Sequence, residues 1–246
     1  MNQKLRHCYD QIHQILGKDI EPYESVELVD RYRQYWKPMS KIRVILLAES
    51  HVFTSDDDRK IKIPHIPNLP GYETQYAKFV YCLGYGERLL TGNSSHPKRD
   101  GTPQFWKILY SCNNRIQDKN DFHPVLSRTQ YEQRVKNKIN LLLRLQQNGI
   151  WLVDSSIVAL YNNREKPNKS IISSVIRKSW DYYTHSIVAE AEPDYVIFVG
   201  KTVAHVLKHD IENLVGNRYT VLCQPNAHLL SEEHMANFRQ YSRICC

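Results

Sequence analysis

The chain has 246 residues, a formal net charge of +7 and 41% hydrophobic residues. That suits one α/β domain spanning 1–246 with a generous core, although two small domains also fit the length, and the composition is ordinary for a soluble globular protein. The basic balance points to polyanionic partners, DNA or RNA foremost, although a solvated basic surface carries the same charge.

No apolar run approaches membrane-spanning length, and the amphipathic start is too polar for a signal peptide. A cytoplasmic protein is expected, or a nuclear one in a nucleated cell. Cys8, Cys82, Cys112, Cys223, Cys245 and Cys246 form no Cys-x-x-Cys pair and no metal-ligand spacing. They read as reduced thiols, so no metal or cofactor is expected.

In chain order, the first apolar run is Ile42–Ala48 (IRVILLA). A long interval rich in Pro and Gly follows, from His51 to Tyr110, and a loop of that length is usually functional. Tyr131–Gln147 carries Val135, Ile139, Leu142 and Leu143 at helical spacing, with Gly149 as a stop signal. Ile150–Asp154 is the second run. Ile171–Ala191 is helical and ends before Pro193. Tyr195–Gly200 is the third run and leads directly into a helix at Lys201–His209. Tyr219–Cys223 is the fourth. None of the four runs alternates cleanly, so each reads as a strand buried on both faces. The rhythm predicts a three-layer α/β/α fold around a four-stranded parallel sheet.

In open α/β sheets, sites form beyond the carboxyl ends of the strands. Those ends carry Glu49, Ser50 and His51; Asp154, Ser155 and Ser156; Lys201 and Thr202; and Gln224, Asn226 and His228. Any α/β enzyme would show such an edge. Gly200-Lys201-Thr202 lacks the GxxxxGK[ST] spacing, and GxGxxG, GxSxG and HExxH are absent, which argues against nucleotide, dinucleotide, hydrolase and metalloprotease sites. Two basic clusters, His96–Arg99 and Asn163–Lys169, read equally well as phosphate contacts or solvated loops.

The order of motifs resembles the uracil-DNA glycosylase superfamily over roughly Ile42 to Phe238. VILLAESH (Val44–His51) is similar to its first strand and following turn. KFVYCLGYGERLL (Lys78–Leu90) resembles the segment whose Phe stacks on a flipped base, here Phe79. GTPQFWKIL (Gly101–Leu109) resembles the Pro-rich loop that pinches the DNA backbone. IWLVDSS (Ile150–Ser156) is similar to the strand ending in a base-reading Asn. SWDYYTHSIV (Ser179–Val188) resembles the Trp-Glu-x-Phe-Thr helix. VIFVGKTVAHVL (Val196–Leu207) is similar to a phosphate-gripping strand–helix step, and QPNAHLLS (Gln224–Ser231) to a worn His-Pro-Ser-Pro-Leu-Ser loop. The departures are Ala48, His51, Asp154, Ser50 where many members hold a water-activating Asp or Asn, and a last loop with no His in first position.

The resemblance implies a monomeric DNA glycosylase that flips a base from duplex DNA and hydrolyses its N-glycosidic bond. Cleavage passes through a cationic sugar, which a carboxylate stabilises and a donor to the leaving base assists. Glu49 is the candidate carboxylate. His51 is a candidate base if its pKa stays near neutral. Asn226 or His228 is the candidate donor. Phe79 would stack on the base, and Leu229 or Leu230 would wedge into the duplex. Pro103, Gln104, Lys201 and Thr202 would hold flanking phosphates. For each, a structural role is the alternative: an N-cap for Ser50, a salt bridge for Glu49, core packing for Phe79.

Asp154 is the most informative departure. An amide matches uracil's adjacent acceptor and donor, whereas a carboxylate only accepts. It suits a base edge bearing an amino group, as in cytosine. This invites comparison with antiphage glycosylases that remove glucosylated hydroxymethylcytosine. The alternatives are a uracil glycosylase with degenerate motifs, a catalytically silent nucleic-acid-binding module on this fold, and an enzyme of free nucleosides.

Overall fold

The computed structural model describes residues 2–87, 103–161, 167–224 and 229–246. Four strands form one all-parallel sheet in the order β2-β1-β3-β4: β1 (Val44–Ala48), β2 (Ile150–Asp154), β3 (Tyr195–Val199) and β4 (Tyr219–Leu222). The first three carry almost unbroken apolar sequence and are buried along nearly their whole length, as expected of strands covered on both faces. β4 departs from that expectation. It is the sheet's edge, and Val221 is 40% exposed.

Helices flank the sheet in a three-layer α/β/α arrangement. One group comprises α1 (Gln3–Leu16), α6 (Lys169–Ser179) and α8 (Lys201–Val215): α1 packs on α6, α6 on α8, and α8 on β3 and β4. Another comprises α4 (Pro103–Ser111), α5 (Tyr131–Gln147) and α9 (Ser231–Cys245). In it α5 packs on β2 and α4, and α9 packs on α4. The remaining helices are α2 (Tyr23–Tyr35), α3 (Asp56–Lys60) and α7 (His185–Ala191). No helix among the described residues is long and apolar enough to cross a membrane.

Helix α5 illustrates how the sequence sets these elements. Lys138, Leu141, Leu142 and Leu145 recur at helical spacing and are its buried face. Gly149 ends it at φ +70°, where a Cβ would lie 2.4 Å from the Lys41 carbonyl oxygen. The Gly149 carbonyl accepts from the N–H groups of Arg43 and Val44, so the helix stop also starts the β1–β2 register.

Several boundaries differ from those read in the sequence. The segment Gly101–Leu109 is not a loop where it is described: Pro103 is the first residue of α4, the one helical position where its missing N–H costs nothing. The third helix runs on to Val215, because its apolar face continues through Leu207, Ile211 and Val215. Ile171–Ala191 is interrupted by a π-turn at Trp180–Thr184. There the Thr184 hydroxyl donates to the Ser155 carbonyl, and the Tyr183 hydroxyl donates to Asp30 at 2.9 Å.

Candidate functional site

Parallel strands put all four carboxyl ends on one edge. The register then selects which ends meet: Ala48 pairs with Asp154, so the chain leaves β1 and β2 side by side. Backbone bonds join the two exits, Ser155 N–H to the Ala48 carbonyl at 2.7 Å and Ser156 N–H to the Glu49 carbonyl at 3.0 Å.

These exits open onto a small cavity lined by Ser50, His51, Val52, Lys78, Phe79, Val80, Tyr85, Phe105, Leu152 and Asp154. Its volume is about 40 Å³, and about 300 Å³ counted out to the mouth. The inner part has room for roughly three water molecules. A pyrimidine ring is larger, so admitting one requires the aromatic wall to move. Four residues singled out in the sequence, Ser50, His51, Phe79 and Asp154, share this cavity. Phe79 belongs to the core and to the cavity at once: it is 3% exposed and presents its ring edge-on to His51, centroids 6.1 Å apart.

A buried chain of alternating charge runs behind the wall. Asp30 lies 2.8 Å from Arg33, Arg33 lies 3.9 Å from Asp154 Oδ2, Asp154 Oδ2 lies 3.4 Å from His51 Nδ1, and His51 Nε2 lies 2.7 Å from Glu21. All five residues are buried. Such ions persist inside a protein only because each is paired. Burial opposes charge on His51, but Glu21 and then Asp154 outweigh it and raise its pKa to about 9. That direction favours the protonated ring over the free base that general-base chemistry needs.

Two atoms of this charge chain lack a hydrogen bond. Asp154 Oδ2 and His51 Nδ1 are buried, and neither has a hydrogen-bond partner among the described residues, their mutual approach being an ion pair without hydrogen-bond alignment. Asp154 is neither an N-cap nor a Ser155 contact. Ser50 is not an N-cap either; its Oγ accepts from the Leu160 N–H at 3.3 Å.

Glu49 does not line the cavity. Its Oε2 accepts from the Tyr161 hydroxyl at 2.8 Å, while its Oε1 is buried without a hydrogen-bond partner among the described residues. Burial and this bond raise the Tyr161 pKa, keeping the phenol a donor. Lys201 and Thr202 begin α8 at the end of β3 and line no part of the cavity. Gln224 comes close to Gly200 just before them. Pro103 and Gln104 precede Phe105, which does line it. Leu229 is partly buried, and its neighbour Leu230 is 74% exposed. Asn226 and His228 lie outside the described residues, as do His96–Arg99 and most of Asn163–Lys169.

Sequence patterning missed Glu21, Arg33 and Tyr161. Glu21 and Arg33 belong to the N-terminal segment, far along the chain from the strand ends that drew notice. A Glu or Arg inside an amphipathic stretch carries no sign that it is buried. Among the described residues no group of three His, Cys, Asp or Glu side chains could hold a metal ion. Comparison of the chain with family models, curated proteins and solved structures gave no match.

Proposed function

We propose that the chain is a DNA glycosylase of the uracil-DNA glycosylase type, acting on a cytosine-type, modified base flipped from duplex DNA. The observation that carries this reading is the pair Asp154 Oδ2 and His51 Nδ1, buried and ion-paired but without a hydrogen bond among the described residues, on two residues that line a cavity flanked by Phe79. A buried polar atom without a partner calls for an explanation, and a polar ligand edge is one. Cytosine offers an amino donor beside the N3 acceptor. The amino group would donate to Asp154, and His51 Nδ1–H would donate to N3.

In the proposed reaction the C1′–N bond breaks and its electron pair leaves with the base. Water adds to C1′ and gives up a proton. Glu49, with one oxygen held by Tyr161 and the other without a hydrogen bond among the described residues, is the carboxylate for that water. The His51 cation stabilises charge developing on the base. The basic composition favours a polymeric substrate over free nucleosides.

A second reading has its own observation. His51 sets a donor beside the Asp154 acceptor, and uracil's N3–H and O4 match that pair as well. Duplexes bearing uracil, cytosine, hydroxymethylcytosine or glucosylated hydroxymethylcytosine, incubated with the protein and cleaved at abasic sites by alkali, separate the two. Breaks at a modified cytosine, reduced about tenfold or more by Asp154→Asn, are expected, since a bond to a charged group contributes about 1.5–3 kcal/mol. Breaks at uracil alone would establish the second reading. No breaks on any duplex would sink both and leave a non-catalytic binding module.

A further inference from the structure

Glu21 lies in the short segment between α1 and α2, outside the sheet, yet it is fully buried. Its Oε1 faces His51 Nε2 at 2.7 Å and accepts from the Ala159 N–H at 2.6 Å. Its Oε2 accepts from the Thr54 N–H at 3.5 Å. The carboxylate is thus fixed from three sides, by the turn after β1, by the segment after β2 and by the loop beyond His51.

The consequence for His51 follows from geometry. A carboxylate oxygen accepts and cannot donate. One such oxygen faces each ring nitrogen, Glu21 at Nε2 and Asp154 at Nδ1. A neutral ring has a proton on one nitrogen only, so its other lone pair would confront an oxygen lone pair. Only the doubly protonated ring answers both. The surrounding charged groups leave this arrangement intact. Lys78 is drawn to Asp58 at 2.8 Å, and Arg33 reaches Asp154 at 3.9 Å, with its other end on Asp30. Phe79 contributes a ring edge, and Ser50 is occupied by the Leu160 N–H.

We infer that Glu21 is a positioning residue for base excision: it locks the His51 ring so that Nδ1–H faces Asp154, beside the cavity both residues line. The catalytic part of this inference rests on the glycosylase reading; the locking of the ring does not. When the glycosidic electrons move into the base, a cation already in place stabilises them without a proton transfer. Glu21 never touches substrate. It acts through His51.

The test uses the full chain labelled with nitrogen-15 histidine. Imidazole nitrogen shifts are followed against pH in the wild type, Glu21→Gln and Glu21→Asp. His51 should be doubly protonated in the wild type at about pH 7, and Glu21→Gln should lower its midpoint by about one unit or more. Glu21→Asp should restore part of that shift. On the excised base, Glu21→Gln should lower kcat about tenfold or more with little change in KM, the pattern of a lost transition-state interaction. A neutral His51 in the wild type overturns the inference even if the Gln variant fails to fold. So does a midpoint that Glu21→Gln leaves in place. A Glu21-dependent titration with no excision on any duplex overturns the glycosylase reading and the catalytic role of Glu21 with it.

Discussion

Replacing His51 by Gln should cost more stability at neutral pH than in alkali. The His51 pKa rises from 6.5 unfolded to about 9 folded. A raised folded value means that folding favours the protonated ring. The contribution is therefore complete below about pH 6.5, falls as pH rises, and is lost above about pH 9. About 2.5 pH units at roughly 1.4 kcal/mol each give about 3.5 kcal/mol. For a chain of this size that is a melting-temperature difference of about 7–14 °C. Urea titrations of wild type and His51→Gln, from about pH 6 to about pH 10, measure it; groups remote from His51 titrate alike in both proteins and cancel in the difference. Trp36, Trp106, Trp151 and Trp180 are all buried, so tryptophan fluorescence reports unfolding. A wild-type-to-variant difference that stays constant across this range would refute the assignment of the charge to His51.

Tyr161→Phe removes the hydroxyl that holds Glu49 Oε2, at a side chain 36% exposed. Single-turnover excision should slow about tenfold or more, with stability changed by less than about 1 kcal/mol; an unchanged rate would show that Tyr161 does not orient Glu49. Gly200→Ala places a Cβ 2.6 Å from Gln224 Cγ at φ +123°. It should destabilise by about 1–3 kcal/mol in urea titration, and a neutral result would contradict the strain argument.

The sheet was legible because four runs of Val, Ile and Leu have few other uses at that length, and Ile150–Asp154 was bounded to the residue. Helix α5 was equally clear, since its period and its terminal Gly149 agree. The N- and C-terminal helices α1, α2 and α9 were not distinguished; their polar faces dilute the apolar period, and their burial depends on partners distant in the chain. The site divides along the same line. Ser50, His51 and Asp154 could be found because strand ends are special places in a parallel sheet. Glu21 and Arg33 could not, because what matters about them is burial and pairing, which spacing does not encode. His51 shows the same division: its ring chemistry and the strand-end Asp154 on one nitrogen were visible, but the buried Glu21 on the other was not.

The strand order also bears on how the molecule assembles. β1 stands between β2 and β3, and Val44 lies opposite Ile150 on one side and Tyr195 on the other. Neither partner is close in the chain, so the central strand gains its neighbours only after long loops close, which makes folding slow. Asp154 reaches His51 through the same β1–β2 pairing. His51 and Asp154 therefore meet only after that pairing, whereas Asp30 and Arg33 are neighbours on one turn of α2. A nascent chain that ends before Ile150 lacks Leu152 and Asp154, so the lining of the pocket is complete only once β2 has been made.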